Sequence, residues 1–319
     1  MDKIKPNLFI SRCIEQEACR WNAAVISSAE IKKLLPYINV INACPEADIG
    51  LGIPRDPIRI LMQNEQKRLI QPSTNLDLTD KMLSFCDLTL SKLNDLDGFI
   101  LKSKSPSCGL KDVKLYESDH NKKSELGSGI FGQAVKDCFP DLPMEDEGRL
   151  TNSKIREHFY SAVFTLARFR SIKNNLIMND LVEFHASHKF LFLAYNQKQM
   201  RILGRITANL EKRPLNEVFQ DYYNNLVLVF KKPPRNSNIL NVWMHIMGFF
   251  SDKISSAEKV HLLDLMQQYT DDLIPPSVIT QILYSLTVRF DHPYLHKQLF
   301  FNPFPKELLT LHDSAKRRI

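Results

Sequence analysis

Three short apolar segments of this 319-residue chain are each followed by a cysteine. The segments are NLFISR before Cys13, INVINA before Cys44 and GFILKSKSPS before Cys108. Their content of Ile, Val, Leu and Phe predicts buried β-strands. Helical patterns separate them, and strands that alternate with helices form parallel sheets. The carboxyl ends of parallel strands face one crevice, so the three thiols are expected to meet there.

Three thiolates at one crevice can hold an iron–sulfur cluster and leave one iron without a protein ligand, as in an enzyme rather than an electron carrier. Zinc is the competing metal, but structural zinc sites usually contain close Cys-x-x-Cys pairs, which this chain lacks. Spacing alone also fits three unrelated buried cysteines. Cys19 ranks lower as a ligand because its surroundings look helical. Cys86 and Cys138 are interpreted as packing residues of helices.

The first half of the chain has an α/β pattern. ISSAEIKKLLPY (26–37) has a serine cap before apolar residues at helical spacing, and NLDLTDKMLSFCDLTLSKLN (75–94) has the same spacing. GSGIFGQAVKDCF (127–139) predicts a glycine-rich turn that opens a helix, either as an anion site or as a plain tight turn. The expected fold class is a Rossmann-like parallel sheet with flanking helices.

The second half has almost purely helical patterns, interrupted by prolines. The polar segment DLPMEDEGRLTNSKIREHF (141–159) precedes it, so a domain boundary is expected near residue 160. We predict an α/β domain over residues 1–160 and an all-α domain over residues 161–319.

Charge is divided unevenly between the two halves. Residues 1–150 contain 20 Lys and Arg against 22 Asp and Glu, a net charge of −2, whereas residues 151–319 contain 22 against 14, a net charge of +8. A basic domain joined to a neutral one is typical of a polyanion-binding module attached to a chemical one, although a solvated basic surface is equally compatible.

The chain has no apolar run long enough to span a membrane, and its charged start passes directly into a strand. Six cysteines in 319 residues are too sparse for a disulfide scaffold. A cytoplasmic protein is expected, and its oligomeric state stays open.

Several motifs resemble those of the TudS-type thiouracil desulfidases. They are SRC (11–13), CPE (44–46) with GLGIPRDPIRI (50–60), KSKSPSCG (102–109) and EDEGRLTNSKIREHF (145–159). The second half resembles a YbgA-type domain through FHASHKFLFLAYNQKQMRILGR (184–205), NVWMHIMGFF (241–250) and FDHPYLHKQLFFNPFP (290–305). The combination is similar to RudS-type desulfidases, which remove 4-thiouridine from transfer RNA.

The resemblance implies a 4Fe-4S cluster held by Cys13, Cys44 and Cys108, with one iron open to the sulfur of a thiolated pyrimidine. It implies that Glu46 activates water and returns a proton, and that Ser105 or Ser107 orients the base or the water. The reaction would be hydrolytic, with no net redox change. By itself, Glu46 also fits a carboxylate that satisfies N–H groups at the start of a helix.

Transfer RNA would need phosphate contacts from basic residues. Candidates are Lys102 and Lys104 beside the cysteine motif and, in the helical half, His185, His188, Lys189, Arg201 and Arg205. Two alternatives remain. One is a desulfidase of free thiouracil or thiouridine monophosphate, and the other is a non-catalytic iron–sulfur protein that binds nucleic acid or senses redox state.

Overall fold

The computed structural model describes residues 4–117 and 123–309. The described residues divide into two compact units, one within residues 1–167 and 307–319 and the other within residues 168–306. The division falls inside one continuous helix, Ser153–Lys173, which also contains the predicted boundary at residue 160.

The first unit contains two β-sheets. Its strands are β1 Asn7–Ser11, β2 Asn39–Ala43, β3 Arg59–Gln63, β4 Gln66–Gln71, β5 Leu76–Asp77, β6 Gly98–Leu101, β7 Val113–Tyr116, β8 Lys123–Gly127 and β9 Met144–Asp146. The three apolar segments that precede the cysteines form β1, β2 and β6, as the sequence predicts.

The first sheet has the order β2-β1-β6-β9, and its neighbouring strands are parallel. Phe9 of β1 lies between Ile41 of β2 and Phe99 of β6, so the carboxyl ends of these strands lie side by side. β1 and β6 are buried. β2 was also expected to be buried, which is wrong because β2 is an edge strand and most of its side chains are partly or fully exposed.

The second sheet has the order β5-β4-β3-β7-β8 and is mostly antiparallel. The sequence pattern does not predict this second sheet. Residues 59–71 form a tight hairpin that turns at Asn64 and Glu65, which both have positive φ angles, 49° and 64°. Apolar residues from β3, β4, β7 and the helices join one core with Phe9 and Phe99 of the parallel sheet.

The helices of the first unit are α1 Ala29–Leu34, α2 Thr79–Leu90 and α3 Ile130–Cys138. All three were predicted, including the cap of α1, where the Ser28 hydroxyl accepts a hydrogen bond from the backbone N–H of Ile31. Cys86 packs in the core as expected. Cys138 does not, because it ends α3 with its side chain exposed.

The second unit is helical, which confirms the predicted α/β and all-α fold classes. Its helices, with the one that leads into it, are α4 Ser153–Lys173, α5 Met178–Tyr195, α6 Gln197–Ala208, α7 Leu215–Val229, α8 Asn236–Gly248, α9 Ser256–Thr270, α10 Pro276–Arg289 and α11 Pro293–His296. Asn196 divides the apolar pattern of residues 178–210 into α5 and α6, since its side chain caps the second of them. Within the described ranges, none of the helices combines the length and apolar content that crossing a bilayer requires.

The first turn of α3 packs against the turn that contains Cys108. The N–H groups of Gly129 and Gly132 donate to the carbonyls of Gly109 (2.8 Å) and Ser107 (2.9 Å). These N–H groups are therefore used inside the protein, and the glycine-rich segment is a close-packing turn rather than an anion site. A Cβ atom at Gly132 would collide with the carbonyl of Gly109 and lie 2.7 Å from that of Cys108.

Replacing Gly132 by Ala should lower the free energy of unfolding of the first unit by about 1–3 kcal/mol, because the backbone of the cysteine turn must move. Gly248→Ala is the matched control, since a Cβ there meets nothing within 4 Å. Denaturant unfolding of the whole chain measures both. Equal free energies of unfolding for the two variants would contradict the prediction, because they would show that the backbone of the cysteine turn can shift without loss of stability.

Candidate metal centre

A cavity of about 310 Å³ lies where β1, β2 and β6 end. Its lining includes Cys13, Cys44 and Cys108, together with a fourth cysteine, Cys19. Cys44 follows β2 directly, and Cys13 stands two residues beyond the end of β1. The parallel sheet therefore brings together three cysteines that are 31 and 64 residues apart in the chain.

The thiols of the three cysteines lie close enough to affect one another electrostatically. Burial raises the pKa of Cys13 to about 12, and the neighbouring Cys44 adds to the increase. Burial also raises the pKa of the Cys108 thiol. A hydrogen bond with the Ser11 hydroxyl opposes this increase, whereas the neighbouring Cys13 and Cys44 add to it. The thiols of Cys13 and Cys108 are therefore protonated at neutral pH, and a bound cation would displace their protons.

Cys19 shares this cavity. It is ranked below Cys13, Cys44 and Cys108 on the expectation that its surroundings are helical. That expectation is wrong, since residues 16–25 form turns and irregular backbone. Cys19 is fully buried, its pKa is raised to about 12 by burial and by the neighbouring Cys44, and its carbonyl oxygen accepts a hydrogen bond from Cys44 Sγ at 3.6 Å.

Glu46 also lines the cavity, and both of its carboxylate oxygens accept hydrogen bonds. Oε1 accepts from the hydroxyls of Ser105 (3.2 Å) and Ser107 (3.0 Å). Ser105 borders the cavity, whereas Ser107 is fully buried. The Ser105 hydroxyl in turn accepts from the backbone N–H groups of Ser107 and Cys108, each at 3.2 Å. One hydroxyl thus connects the Glu46 carboxylate to the cysteine turn.

Arg55 holds the other carboxylate oxygen and was not singled out from the sequence. Its Nε and Nη2 donate to Glu46 Oε2 at 3.1 and 2.8 Å, and only 3% of its side chain is exposed. Its Nη1 donates to the carbonyls of Cys19 and Gly52, both at 3.0 Å. The only signal in the sequence was its place in the segment GLGIPRDPIRI, which carries no periodicity that reveals where a side chain points.

Lys102, a predicted RNA contact, lies inside the cavity lining rather than free at the surface. Its ammonium group forms an ion pair with Glu147 and donates to the Ser103 hydroxyl (3.0 Å). We correct its assignment, because a lysine held by a largely buried carboxylate is not available to a phosphate. Lys104 also lines the cavity and is exposed, as the prediction requires.

The donor set of this cavity suits a soft metal. In the part of the chain that the structure describes, no three His, Cys, Asp or Glu side chains are grouped tightly enough to hold a single metal ion. A 4Fe-4S cluster does not require this, because each thiolate binds a different iron. Thiols are the ligands that iron–sulfur clusters use, so the residues present fit such a group.

Comparison with known proteins finds family models that match both halves of the chain. The family model described as 2-thiouracil desulfurase matches residues 8–147, and DUF1722, a family of unknown function, matches residues 189–305. The chain joins a 2-thiouracil desulfurase domain to a YbgA-type domain.

Two curated relatives each match a little less than half of the chain over most of their own length. YbgA of Escherichia coli (strain K12), described as uncharacterized, is 24% identical over 155 residues, which is 48% of this chain and 92% of that protein. YbbK of Bacillus subtilis (strain 168), also uncharacterized, is 28% identical over 148 residues, covering 44% and 96%. A solved structure titled 4Fe-4S-dependent thiouracil desulfidase TudS is 23% identical, with a TM-score of 0.36 over 46% of this chain and 94% of that chain.

In the YbgA-type domain, the predicted RNA contacts differ in exposure: His188 is buried, and His185 is half-buried. Lys189, Arg201 and Arg205 are exposed. His188 is only 1% exposed and stacks on Phe192, and the His185 ring is hydrogen-bonded to the Tyr222 hydroxyl at 3.1 Å.

The two histidines are therefore not phosphate contacts, and the assignment is corrected. Burial lowers the pKa of His185 to about 4 and that of His188 to about 3, with neighbouring Lys189 and Arg168 respectively contributing to the decrease. Both rings are neutral at pH 7. The spacing i, i+3, i+4 places His185, His188 and Lys189 on one side of the helix, but of these three only Lys189 is exposed.

Because the folded pKa of His188 is depressed, the unfolded chain binds a proton between about pH 6.5 and pH 3 that the folded chain does not. The YbgA-type domain should thus lose stability as pH falls below 6.5, by up to about 1.4 kcal/mol per pH unit for each such histidine. His188→Phe should reduce this slope, whereas the exposed control His261→Gln should not. Denaturant unfolding at pH 4.5 to 7 tests the prediction, and an unchanged slope in His188→Phe would contradict it.

Proposed function

We propose that this protein is a desulfidase that converts 4-thiouridine in transfer RNA to uridine and releases sulfide, using a 4Fe-4S cluster. Cys13, Cys44 and Cys108 would hold the cluster and leave one iron without a protein ligand. The observation that carries the proposal is that these three thiols and the Glu46 carboxylate line one cavity in the desulfurase domain.

The proposed reaction is a hydrolysis. One water adds to the thiocarbonyl carbon, the C=S bond is replaced by C=O, and the sulfur leaves as hydrogen sulfide with no change in electron count. When bound, the cluster supplies a soft Lewis acid for the sulfur. The side chains of the protein must bind the pyrimidine, orient the water and move its protons.

Glu46 is the proposed general base, since it is the carboxylate in the cavity with a hydrogen-bond path to the cysteine turn. Arg55 fixes Oε2, so Oε1 is the oxygen available for proton transfer. Ser105 and Ser107 both donate to that oxygen, and a hydroxyl can rotate away to admit a water. We assign water orientation to Ser105, which borders the cavity, and positioning of Glu46 to the buried Ser107.

Exposed cations of the YbgA-type domain are the proposed phosphate contacts. Lys189, Arg201 and Arg205 are exposed, in the half of the chain that has a net charge of +8. Phosphate contacts fix the position and orientation of a nucleic acid without reading its sequence. Such contacts would let a base within a large RNA reach the desulfurase domain.

Cysteine and glutamate variants test the proposal. After anaerobic reconstitution, Cys13→Ser, Cys44→Ser and Cys108→Ser should lose bound iron and the brown absorbance, whereas Glu46→Gln should keep both and lose about 10²–10⁴-fold in sulfide release from 4-thiouridine. Iron analysis and a sulfide assay with the whole chain measure these effects.

Two controls sharpen this experiment. Cys19→Ser changes a thiol of the same cavity and Glu145→Gln changes a carboxylate paired with Arg149, and both should retain iron and activity. Loss of iron in Cys19→Ser, or full turnover in Glu46→Gln, would refute the assigned roles.

Salt dependence of binding tests the transfer RNA substrate. The logarithm of affinity should fall with the logarithm of salt concentration, by about 0.7–0.9 per contacted phosphate. The triple variant Lys189→Ala, Arg201→Ala, Arg205→Ala should have a shallower slope, unlike the matched variant Lys198→Ala, Lys212→Ala, Lys232→Ala. If affinity does not change with salt while free thiouridine monophosphate is desulfurised, the free nucleotide is the substrate.

A further inference from the structure

An exposed tryptophan lines the same cavity as the cysteines. Trp21 is 46% exposed, which is uncommon for so large an apolar side chain, and it contributes to the cavity wall. Since part of the ring meets solvent and part meets the cavity, Trp21 stands on the open side of the site. A large aromatic face at the entrance of a small cavity is suited to a flat, apolar ligand ring.

The loop that carries Trp21 is held in place by Arg55. The backbone N–H of Arg55 donates to the Trp21 carbonyl at 2.8 Å, and its guanidinium donates to the carbonyl of Cys19. The same guanidinium binds Glu46. The backbone of Trp21 and the carboxylate of Glu46 are therefore both held by Arg55, which anchors the loop that carries the indole before any ligand enters.

Two further cations line the cavity, half-buried Arg20 and exposed Lys104. Glu46, which lines the cavity, is paired with Arg55, and Lys102 of the lining is paired with Glu147, which is not a lining residue, so both acids already have partners. Arg20 and Lys104 thus add positive charge on the side of the site that faces solvent.

We propose that Trp21, Arg20 and Lys104 form a pyrimidine nucleotide site, in which the indole stacks on the base and the two cations bind its phosphate. This inference rests on the proposed function for the identity of the base, and it adds the residues that recognise the substrate. A base stacked on Trp21 has its thiocarbonyl edge toward the cysteines and its ribose and phosphate toward solvent. Base–aromatic stacking contributes about 1–3 kcal/mol per base.

Intrinsic fluorescence provides a direct test, because the chain has two tryptophans and the other, Trp243, is fully buried among the helices of the YbgA-type domain. Uridine 5′-monophosphate is the probe, since it is a product analogue that is not consumed. Added to the reconstituted protein, it should quench emission, and this change should be absent in Trp21→Phe. By calorimetry, Trp21→Ala should weaken binding on the order of tenfold, and Trp21→Phe by less.

Charge variants examine the phosphate contact. Lys104→Ala should weaken binding of uridine 5′-monophosphate about three- to fivefold and leave that of uridine unchanged, while the exposed control Lys114→Ala should change neither. A short oligouridylate identifies the source of the nucleotide. If the oligouridylate binds more tightly than uridine 5′-monophosphate, the nucleotide recognised belongs to RNA. If the two bind equally, the free nucleotide is the ligand. Either result, together with quenching that depends on Trp21, supports the proposal.

The outcomes separate this proposal from the proposed function. Sulfide release with normal KM in Trp21→Ala, together with no quenching by uridine 5′-monophosphate, overturns the nucleotide site and leaves the desulfidase standing. Trp21-dependent binding without sulfide release from any thiolated pyrimidine supports the nucleotide site and removes the desulfidase.

Discussion

The buried ion pair between Glu46 and Arg55 is the interaction on which the site depends. Removing a carboxylate and a guanidinium from water costs several kcal/mol each, which only close and well-satisfied geometry can offset. Here the carboxylate accepts from two nitrogens of Arg55 and from two serine hydroxyls. Through these bonds, the segment after β2, the loop around Cys19 and the turn after β6 become one connected structure. Replacing either partner alone would leave a buried charge and release all three segments.

The elements that carry the cysteines could be predicted because their signals are local. Apolar runs predict β1, β2 and β6, and the serine cap at Ser28 predicts the start of α1. Because the carboxyl ends of parallel strands lie at one edge of a sheet, the three thiols were expected to lie close together. The exposure of β2 could not be predicted, since an edge strand and a central strand can have similar composition, and strand order is set by tertiary packing.

Residues whose importance arises from side-chain direction were missed or misjudged. Arg55 lies in an irregular segment between β2 and β3, where no period indicates which way a side chain points. His185 and His188 have the correct spacing for one helix face, but spacing does not indicate whether the residues on that face are exposed to solvent or buried. The decisive information was the number of aromatic residues nearby: Phe184 and Phe192 surround His188 with ring centroids at 4.0 and 5.4 Å. A histidine among phenylalanines at i−4 and i+4 is better predicted as a core residue.

The charge arrangement of the cavity explains how one site can serve two different parts of a nucleotide. In the lining, Glu46 is matched by Arg55 and Lys102 is matched by Glu147, so an uncharged pyrimidine can enter without opposing an unpaired charge. At the solvent side, Arg20 and Lys104 attract an anion that remains hydrated and therefore avoids the cost of burial. A neutral interior with a positive entrance favours base-in, phosphate-out binding over the reverse orientation.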